Sequence, residues 1–294
     1  MGVHPEGKRL SNKTIQEAWA FGRSQLAQAS FTPEVDARLL LEYVLQVEQS
    51  YLIAHGDGEL TQSQVEIYRA LLARALQKEP IPYLTGTSSF YGFDLKVNSS
   101  VLIPRPETEE LVEHAVHWVG SRAGLTIVDV GTGSGVIATA LSRVLPPSTL
   151  VATDISFPAL QVARINAKKN ARQFIHFVQG DLLKPVAGMI DLIVANLPYI
   201  ADAEWTQVDD GVKLYEPSLA LNGGSDGLNL LRELLNQAAA KLRPGGAIFL
   251  EIGWQQGAAM RQLAGKIFPH AEIEIITDLA GQDRIVQVLT NNPA

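Results

Sequence analysis

Asp129-Val130-Gly131-Thr132-Gly133-Ser134-Gly135 joins a β-prone apolar run, Leu125–Val130, to a helical one, Val136–Leu145. Glycines at such a junction allow the tight backbone that brings a strand end, a ligand and a helix N-terminus together. The spacing is GxGxG, and the position that would complete GxGxxG is Val136. Asp129 closes the strand just ahead of the loop. A carboxylate there repels a pyrophosphate and suits the amino group of a methionine moiety.

Outward from this loop the chain alternates strand and helix. Helix Glu107–Val119 precedes it; strand Leu150–Thr153, helix Pro158–Asn170, strand Ile175–Val178 and strand Ile190–Ala195 follow. After a long irregular stretch come helix Gly227–Leu242, strand Ala247–Ile252 and helix Gln255–Ile267. Two strands, Ala271–Thr277 and Arg284–Leu289, close the chain across a link too short for a helical crossover, so they should pair antiparallel. A parallel sheet with one antiparallel strand near its end is the methyltransferase variant of the doubly wound fold.

Two more acids stand at strand ends. Asp154 ends the second strand, where an acid commonly binds ribose hydroxyls. Asp181, in Gln179-Gly180-Asp181-Leu182-Leu183, follows the third and is placed to accept from an adenine amino group, with Leu182 packing on the ring. One such Asp reads equally well as a cap. Three in succession at the ligand edge of a sheet describe S-adenosylmethionine.

Strand Asp191–Ala195 runs into Asn196-Leu197-Pro198-Tyr199. An amino group conjugated to a carbonyl or ring is a poor nucleophile because its lone pair is delocalised. The Asn196 side-chain oxygen and the Leu197 carbonyl can each take one N–H and turn that lone pair toward a sulfonium methyl. Pro198 stiffens the turn, and Tyr199 can stack on the planar group. Methyl transfer of this kind is an in-line displacement for which positioning supplies much of the rate, and it needs neither a metal nor a dedicated base.

Before this loop the chain has another character. Thr14-x-x-Glu17 and Thr61-x-x-Gln64 are capping boxes, and Thr32-Pro33 is a cap with proline at the first helical position. Behind them apolar residues recur at helical spacing: Ile15, Ala18, Trp19 and Leu26; Val35, Leu39, Leu40, Tyr43, Val44 and Val47; Val65, Tyr68, Leu72 and Leu76. The spacing predicts a helical bundle over residues 1–86 that Pro80 and Pro82 end. Ser89–Val97, aromatic and β-prone around Gly92, predicts a β-hairpin linker over 87–103, ahead of the α/β domain over 104–294.

Composition narrows the function. At roughly 150 residues per domain, 294 residues suggest two domains. A hydrophobic share of 46% excludes disorder throughout the chain. A net charge of −7 speaks against a protein that clings to phosphate backbones. With no cysteine there is no disulfide, catalytic thiolate or cysteine-held metal. No apolar run approaches the roughly 18 residues of a membrane helix. Met1–Arg9 has no signal-peptide core, Glu6 departs from a myristoylation signal, and the sequons at Asn12 and Asn98 then carry no weight. These features predict a cytoplasmic protein with no nucleic-acid or membrane partner. His114 and His117, with Glu110 and Glu113, read as a solvated helix face rather than a metal site, and Arg164, Lys168, Lys169 and Arg172 likewise. Trp254 reads as a core anchor.

Taken together, Ile103–Glu109, Asp129–Gly135, Asn196–Tyr199, Tyr215-Glu216-Pro217 and Leu250–Gly257 resemble the HemK-type glutamine N5-methyltransferases. The resemblance extends to Pro80–Gly86 and the helical N-terminal region, and so covers nearly the whole chain. It implies a class I S-adenosylmethionine-dependent methyltransferase fold, Rossmann-like with a seven-stranded sheet, acting as a monomer. The acceptor it implies is the glutamine of the Gly-Gly-Gln loop in class-1 peptide chain release factors, and the coproduct is S-adenosylhomocysteine. It carries cofactor contacts onto Gly131, Thr132, Gly133, Ser134, Gly135, Asp154, Leu182 and Asn196, beside the Asp129 and Asp181 read above. Glutamine contacts fall on Asn196, Leu197, Pro198 and Tyr199, and release-factor docking on the helical domain.

The family's usual Asn-Pro-Pro-Tyr is Asn-Leu-Pro-Tyr here, which leaves the Leu197 carbonyl as acceptor but its φ less restricted. An adenine-side position often aromatic in relatives is Leu182, which weakens stacking rather than binding. Four other readings compete. An NAD-dependent oxidoreductase predicts GxGxxG and gives Asn196–Tyr199 no role. A DNA adenine methyltransferase needs a basic channel, whereas residues 1–88 carry 8 Lys and Arg against 10 Asp and Glu. A non-catalytic adaptor leaves Asn196 and Tyr199 unexplained. Methylation of a ribosomal-protein glutamine differs only in what the N-terminal domain selects.

Overall fold

The computed structural model describes residues 14–291. The readings of Met1–Arg9 and of the sequon at Asn12 lie outside them. The described residues up to Gly86, together with Asp210–Tyr215, form one compact unit, and Thr87–Asp209 with Glu216 onward forms a second.

The first unit is helical: α1 (Ile15–Leu26), α2 (Pro33–Leu45), α3 (Gln49–Ala54), α4 (Gln62–Ala75) and α5 (Ile81–Thr85). Both capping boxes form. The Thr14 hydroxyl accepts from Glu17 N while Glu17 reaches back to Thr14 N, and Thr61 and Gln64 repeat the exchange. Thr32 stands at its cap position but makes no capping bond; its hydroxyl donates to Asp36 instead. The α2 stripe is also turned from the one expected: Ala37, Leu40 and Leu41 are buried, while Val35 and Tyr43 are exposed. Pro80 and Pro82 begin a helical turn rather than only ending one, because proline is at home where the first N–H groups have no partner anyway. Segment α9 (Asp210–Tyr215) belongs to this unit through Lys78 Nζ, 2.9 Å from Asp210 Oδ2, and the Tyr215 hydroxyl, which donates to Gln77 O at 3.2 Å.

The second unit opens with the antiparallel hairpin β1 (Thr87–Phe90) and β2 (Phe93–Lys96). It is no free-standing linker. Phe90, Phe93 and Leu95 are buried in the unit's core, and Asn166 clasps Lys96 through both its backbone N–H and C=O. There follow α6 (Glu107–Val119), β3 (Thr126–Val130), α7 (Val136–Val144), β4 (Thr149–Asp154), α8 (Phe157–Asn170), β5 (Ile175–Gln179) and β6 (Ile190–Ala195). The stretch with no legible pattern holds a two-residue strand β7 (Ile200–Ala201), two 3-10 turns and β8 (Asn222–Gly224). The chain continues with α10 (Asn229–Ala239), β9 (Leu242–Glu251), α11 (Gly257–Ile267), β10 (Glu272–Thr277) and β11 (Asp283–Leu289).

Seven strands form one sheet in the order β10-β11-β9-β6-β3-β4-β5. The pairs among β9, β6, β3, β4 and β5 are parallel, and β11 is antiparallel to both β9 and β10. This is the class I methyltransferase sheet expected. Alternation along each strand feeds two cores. Val128, Val130, Ile193 and Ala195 face α10 and α11, while Ile127, Leu192 and Val194 face α6, α7 and the hairpin. From β3 the chain winds first toward β5 and then, through β6, the other way. That reversal opens a crevice at the carboxyl ends of β3 and β6, where such sheets bind ligands. Among the described residues no helix is long and apolar enough to cross a membrane.

Candidate active site

The glycine loop leaves β3 with Gly131, Gly133 and Gly135 all at positive φ (70°, 54° and 78°). Two of them are also required by close packing. A Cβ on Gly131 would stand 2.6 Å from Leu197 Cδ2, and one on Gly135 2.8 Å from Ala163 Cβ. Gly133 is different: its added Cβ would meet nothing nearer than the Gly131 carbonyl at 3.9 Å, so glycine there keeps the cavity beside it open.

The loop amides are largely spent on the protein itself. Gly131 N and Thr132 N donate to Thr153 O, Gly135 N to Thr132 O, and Gly133 N to Asp154 Oδ2 at 2.8 Å. Ala138 N, in the first turn of α7, donates to Asp129 Oδ2 at 3.0 Å, and the Thr132 hydroxyl donates to the same oxygen at 2.6 Å. A pyrophosphate needs free N–H groups at this place; here backbone carbonyls and the carboxylates of Asp154 and Asp129 occupy them.

Asp129 is 1% exposed and does not line the cavity. Its Oδ1 is buried without a partner. Burial pushes its carboxyl up to about 7, with the Thr132 and Ala138 hydrogen bonds opposing. A buried acceptor with one unused oxygen suits a cationic ligand group. Asp154 lines the cavity, where its two oxygens accept from Gly133 N and Ser156 N; burial raises its carboxyl against those bonds. Asp181 also lines it, ion-paired with Lys184 at 2.5 Å. Leu182 lies beside it at φ 50°, a conformation that non-glycine residues rarely adopt, and presents a mostly buried side chain to the same space.

Asn196, Leu197 and Pro198 reach this cavity from the end of β6. Leu197 is 3% exposed and packed on Gly131, so burial anchors a residue that lacks a proline ring. Tyr199 does not line the cavity. It is partly buried at the edge of the core, its carbonyl accepts from Gln256 Nε2 at 2.8 Å, and burial pushes its hydroxyl up to about 12. Trp254 is 56% exposed rather than a core anchor: the core places beneath β9 are filled by Leu250 and Ile252.

Two pairs of residues had no individual role in the sequence reading. Asn196 Nδ2 donates to the Thr108 hydroxyl at 3.0 Å, and that hydroxyl donates to Glu251 Oε2 at 2.7 Å. Glu216, 5% exposed, accepts from Ile103 N at 3.0 Å and pairs with Arg105 at 2.6 Å, fastening the 100–105 segment that lines one side of the cavity. An acid ending the apolar run Ala247–Ile252 is the signal for Glu251, since a buried carboxylate requires partners. Among the described residues no cluster of three or more His, Asp or Glu side chains could hold a metal ion.

Known proteins resemble this chain in sequence and in fold. Residues 17–86 match the family described as PrmC N-terminal domain, and residues 109–212 the methyltransferase small domain. A release factor glutamine methyltransferase of Bacillus subtilis (strain 168) is 40% identical over 286 residues, covering 94% of this chain and 98% of that protein. Its namesake in Enterococcus faecalis is 41% identical over 239 residues, 81% of this chain and 86% of that one. A methyltransferase structure from Pyrococcus furiosus shares the fold at a TM-score of 0.52 and 19% identity, over 75% of this chain and 98% of the other.

Proposed function

The chain belongs to the release factor glutamine methyltransferase family, and from that premise we propose that it methylates a glutamine of peptide chain release factors. The methyl donor is S-adenosylmethionine. The acceptor is the side-chain amide nitrogen of the glutamine in the Gly-Gly-Gln loop of class-1 factors. The observation that carries this reading is Asn196: it lines the same cavity as Asp154 and Asp181, and its side-chain nitrogen is engaged by Thr108.

The proposed roles follow from the chemistry. Gly131–Gly135 wall the cofactor, Asp154 accepts from its ribose, Asp181 and Leu182 hold the adenine, and Asp129, buried behind the loop, favours its ammonium group by charge rather than by contact. When bound, S-adenosylmethionine supplies a methyl on a sulfonium sulfur; its C–S bond breaks as the new N–C bond forms, leaving S-adenosylhomocysteine. Asn196 Oδ1 and the Leu197 carbonyl each accept one N–H of the acceptor amide and aim its lone pair along the line of attack. The amide nitrogen sheds one proton to solvent as it is alkylated. Pro198 holds the turn, and Tyr199 supports it from behind through its carbonyl and buried ring. The helical unit docks the release factor, and the protein acts as a cytoplasmic monomer.

Transfer of labelled methyl from S-adenosylmethionine to a purified, unmodified release factor tests this. Label should enter the normal factor and not one whose Gly-Gly-Gln glutamine is replaced by alanine. Equal labelling of both would reject the proposal.

A further inference from the structure

Asn196 is useful only one way round. A carboxamide offers an oxygen on one side and an NH2 on the other, and only the oxygen can accept an N–H from the acceptor amide. A half-turn about the last side-chain bond would present two donors to two donors. Something must therefore choose the orientation.

Glu251 and Thr108 make that choice available. Glu251 ends β9 at 1% exposure, and Thr108, in the first turn of α6, is 2% exposed. An ionised carboxylate can only accept, so the Thr108 hydroxyl donates to Glu251 Oε2, at 2.7 Å. With its proton committed, Thr108 Oγ1 has only lone pairs left for its other neighbour. That neighbour, 3.0 Å away, is then obliged to be Asn196 Nδ2. We infer that Glu251 and Thr108 are positioning residues, a two-bond relay that fixes the Asn196 carboxamide with its oxygen directed to the acceptor.

The inference rests on the functional reading above and adds Thr108, which lines the cavity beside Asn196, and Glu251, which lies behind it. The direction of the relay depends on charge. A protonated Glu251 can donate to Thr108, which frees the Thr108 proton for Asn196 Oδ1 and undoes the choice. The charged and titratable groups acting on Glu251 are Arg284 of β11, which favours its ionised form, and Glu107 of α6, which opposes it. Tyr199, after β6, stays neutral with its hydroxyl pushed up to about 12. Burial raises Glu251 to about 7, so the relay titrates near neutral pH.

The test compares variants of the full chain with the wild type, using S-adenosylmethionine and an unmodified release factor. Glu251→Leu and Thr108→Val should remain folded and bind cofactor within about threefold of wild type, while kcat falls about 10- to 100-fold and KM for the release factor moves far less. Thr108→Ser and Glu251→Gln, which keep an acceptor–hydroxyl pair, should restore turnover to within about tenfold. At saturating cofactor the wild-type kcat should rise with pH through neutrality, and Glu251→Gln should lose that limb. If Glu251→Leu does not fold, the Thr108 pair decides: a slow Val with an active Ser supports the relay, and equal rates overturn it. Wild-type turnover in a folded Glu251→Leu also overturns the relay, leaving the functional reading intact. A wild-type protein that leaves the release factor unmethylated overturns the reading itself, and the relay with it.

Discussion

Asp129 lies buried at the root of the glycine loop, and its two oxygens have different surroundings. One oxygen holds the loop and helix together through Thr132 and Ala138, and the other is left without a partner. Because burial raises this carboxyl to about 7, part of the population is protonated at neutral pH. A cationic cofactor favours the ionised form, so binding should release protons. Calorimetry near pH 6.5 in buffers of different ionisation enthalpy should detect a fractional release that Asp129→Asn lacks; identical release by both would assign it elsewhere. Asn196, unlike Asp129, lines the cavity itself. Asn196→Ala should leave cofactor affinity nearly unchanged and lower turnover at least about 10²-fold, as expected for lost positioning. Loss of affinity in parallel with turnover would make Asn196 chiefly a cofactor ligand.

At the level of elements, the helical unit contains a tight crossing that can be tested separately. Gly22 of α1 faces Tyr68 of α4, whose hydroxyl donates to Ala37 O at 3.1 Å, and a Cβ on Gly22 would fall 1.9 Å from that hydroxyl. Gly22→Ala should destabilise the protein by about 1–3 kcal/mol through overpacking, and Tyr68→Phe should recover part of the loss when added to it. Urea unfolding measures both, and an unchanged midpoint for Gly22→Ala would show that the helices slide apart freely. The elements that local pattern reveals are those with long apolar alternation, such as β3 and β6, or a capping box, such as α1 and α4. Helix α9 was not legible. It has six residues, and its visible supports are Lys78 and Gln77, more than a hundred positions away. Helix α5 was hidden behind two prolines that a sequence reader takes for breakers. Asp154, Asp181 and Asn196 line one cavity, a convergence the sequence shows because strand ends meet by topology, whereas Asp129 lies buried behind it. The Thr108–Glu251 contact was not, because it joins positions 143 residues apart.

At the scale of the whole molecule, two buried carboxyls among the described residues are raised to about 7, from ordinary values of 3.8 for Asp129 and 4.5 for Glu251. Between those limits the folded state holds more protons than the unfolded chain, so stability falls as pH rises from about 4 to about 7 and levels beyond. The double variant Asp129→Asn, Glu251→Gln should flatten that slope in denaturant midpoints measured across the range; an unaltered slope would mean that these two acids do not set it. Where the methyl goes decides the function. Purified protein with saturating S-adenosylmethionine is offered unmodified release factor and unmodified ribosomal proteins together, and the digests are read by peptide mass spectrometry with fragmentation. The expected result is a single added methyl on the side-chain amide of the Gly-Gly-Gln glutamine. A release factor without that methyl, or a methyl confined to a ribosomal protein, contradicts it.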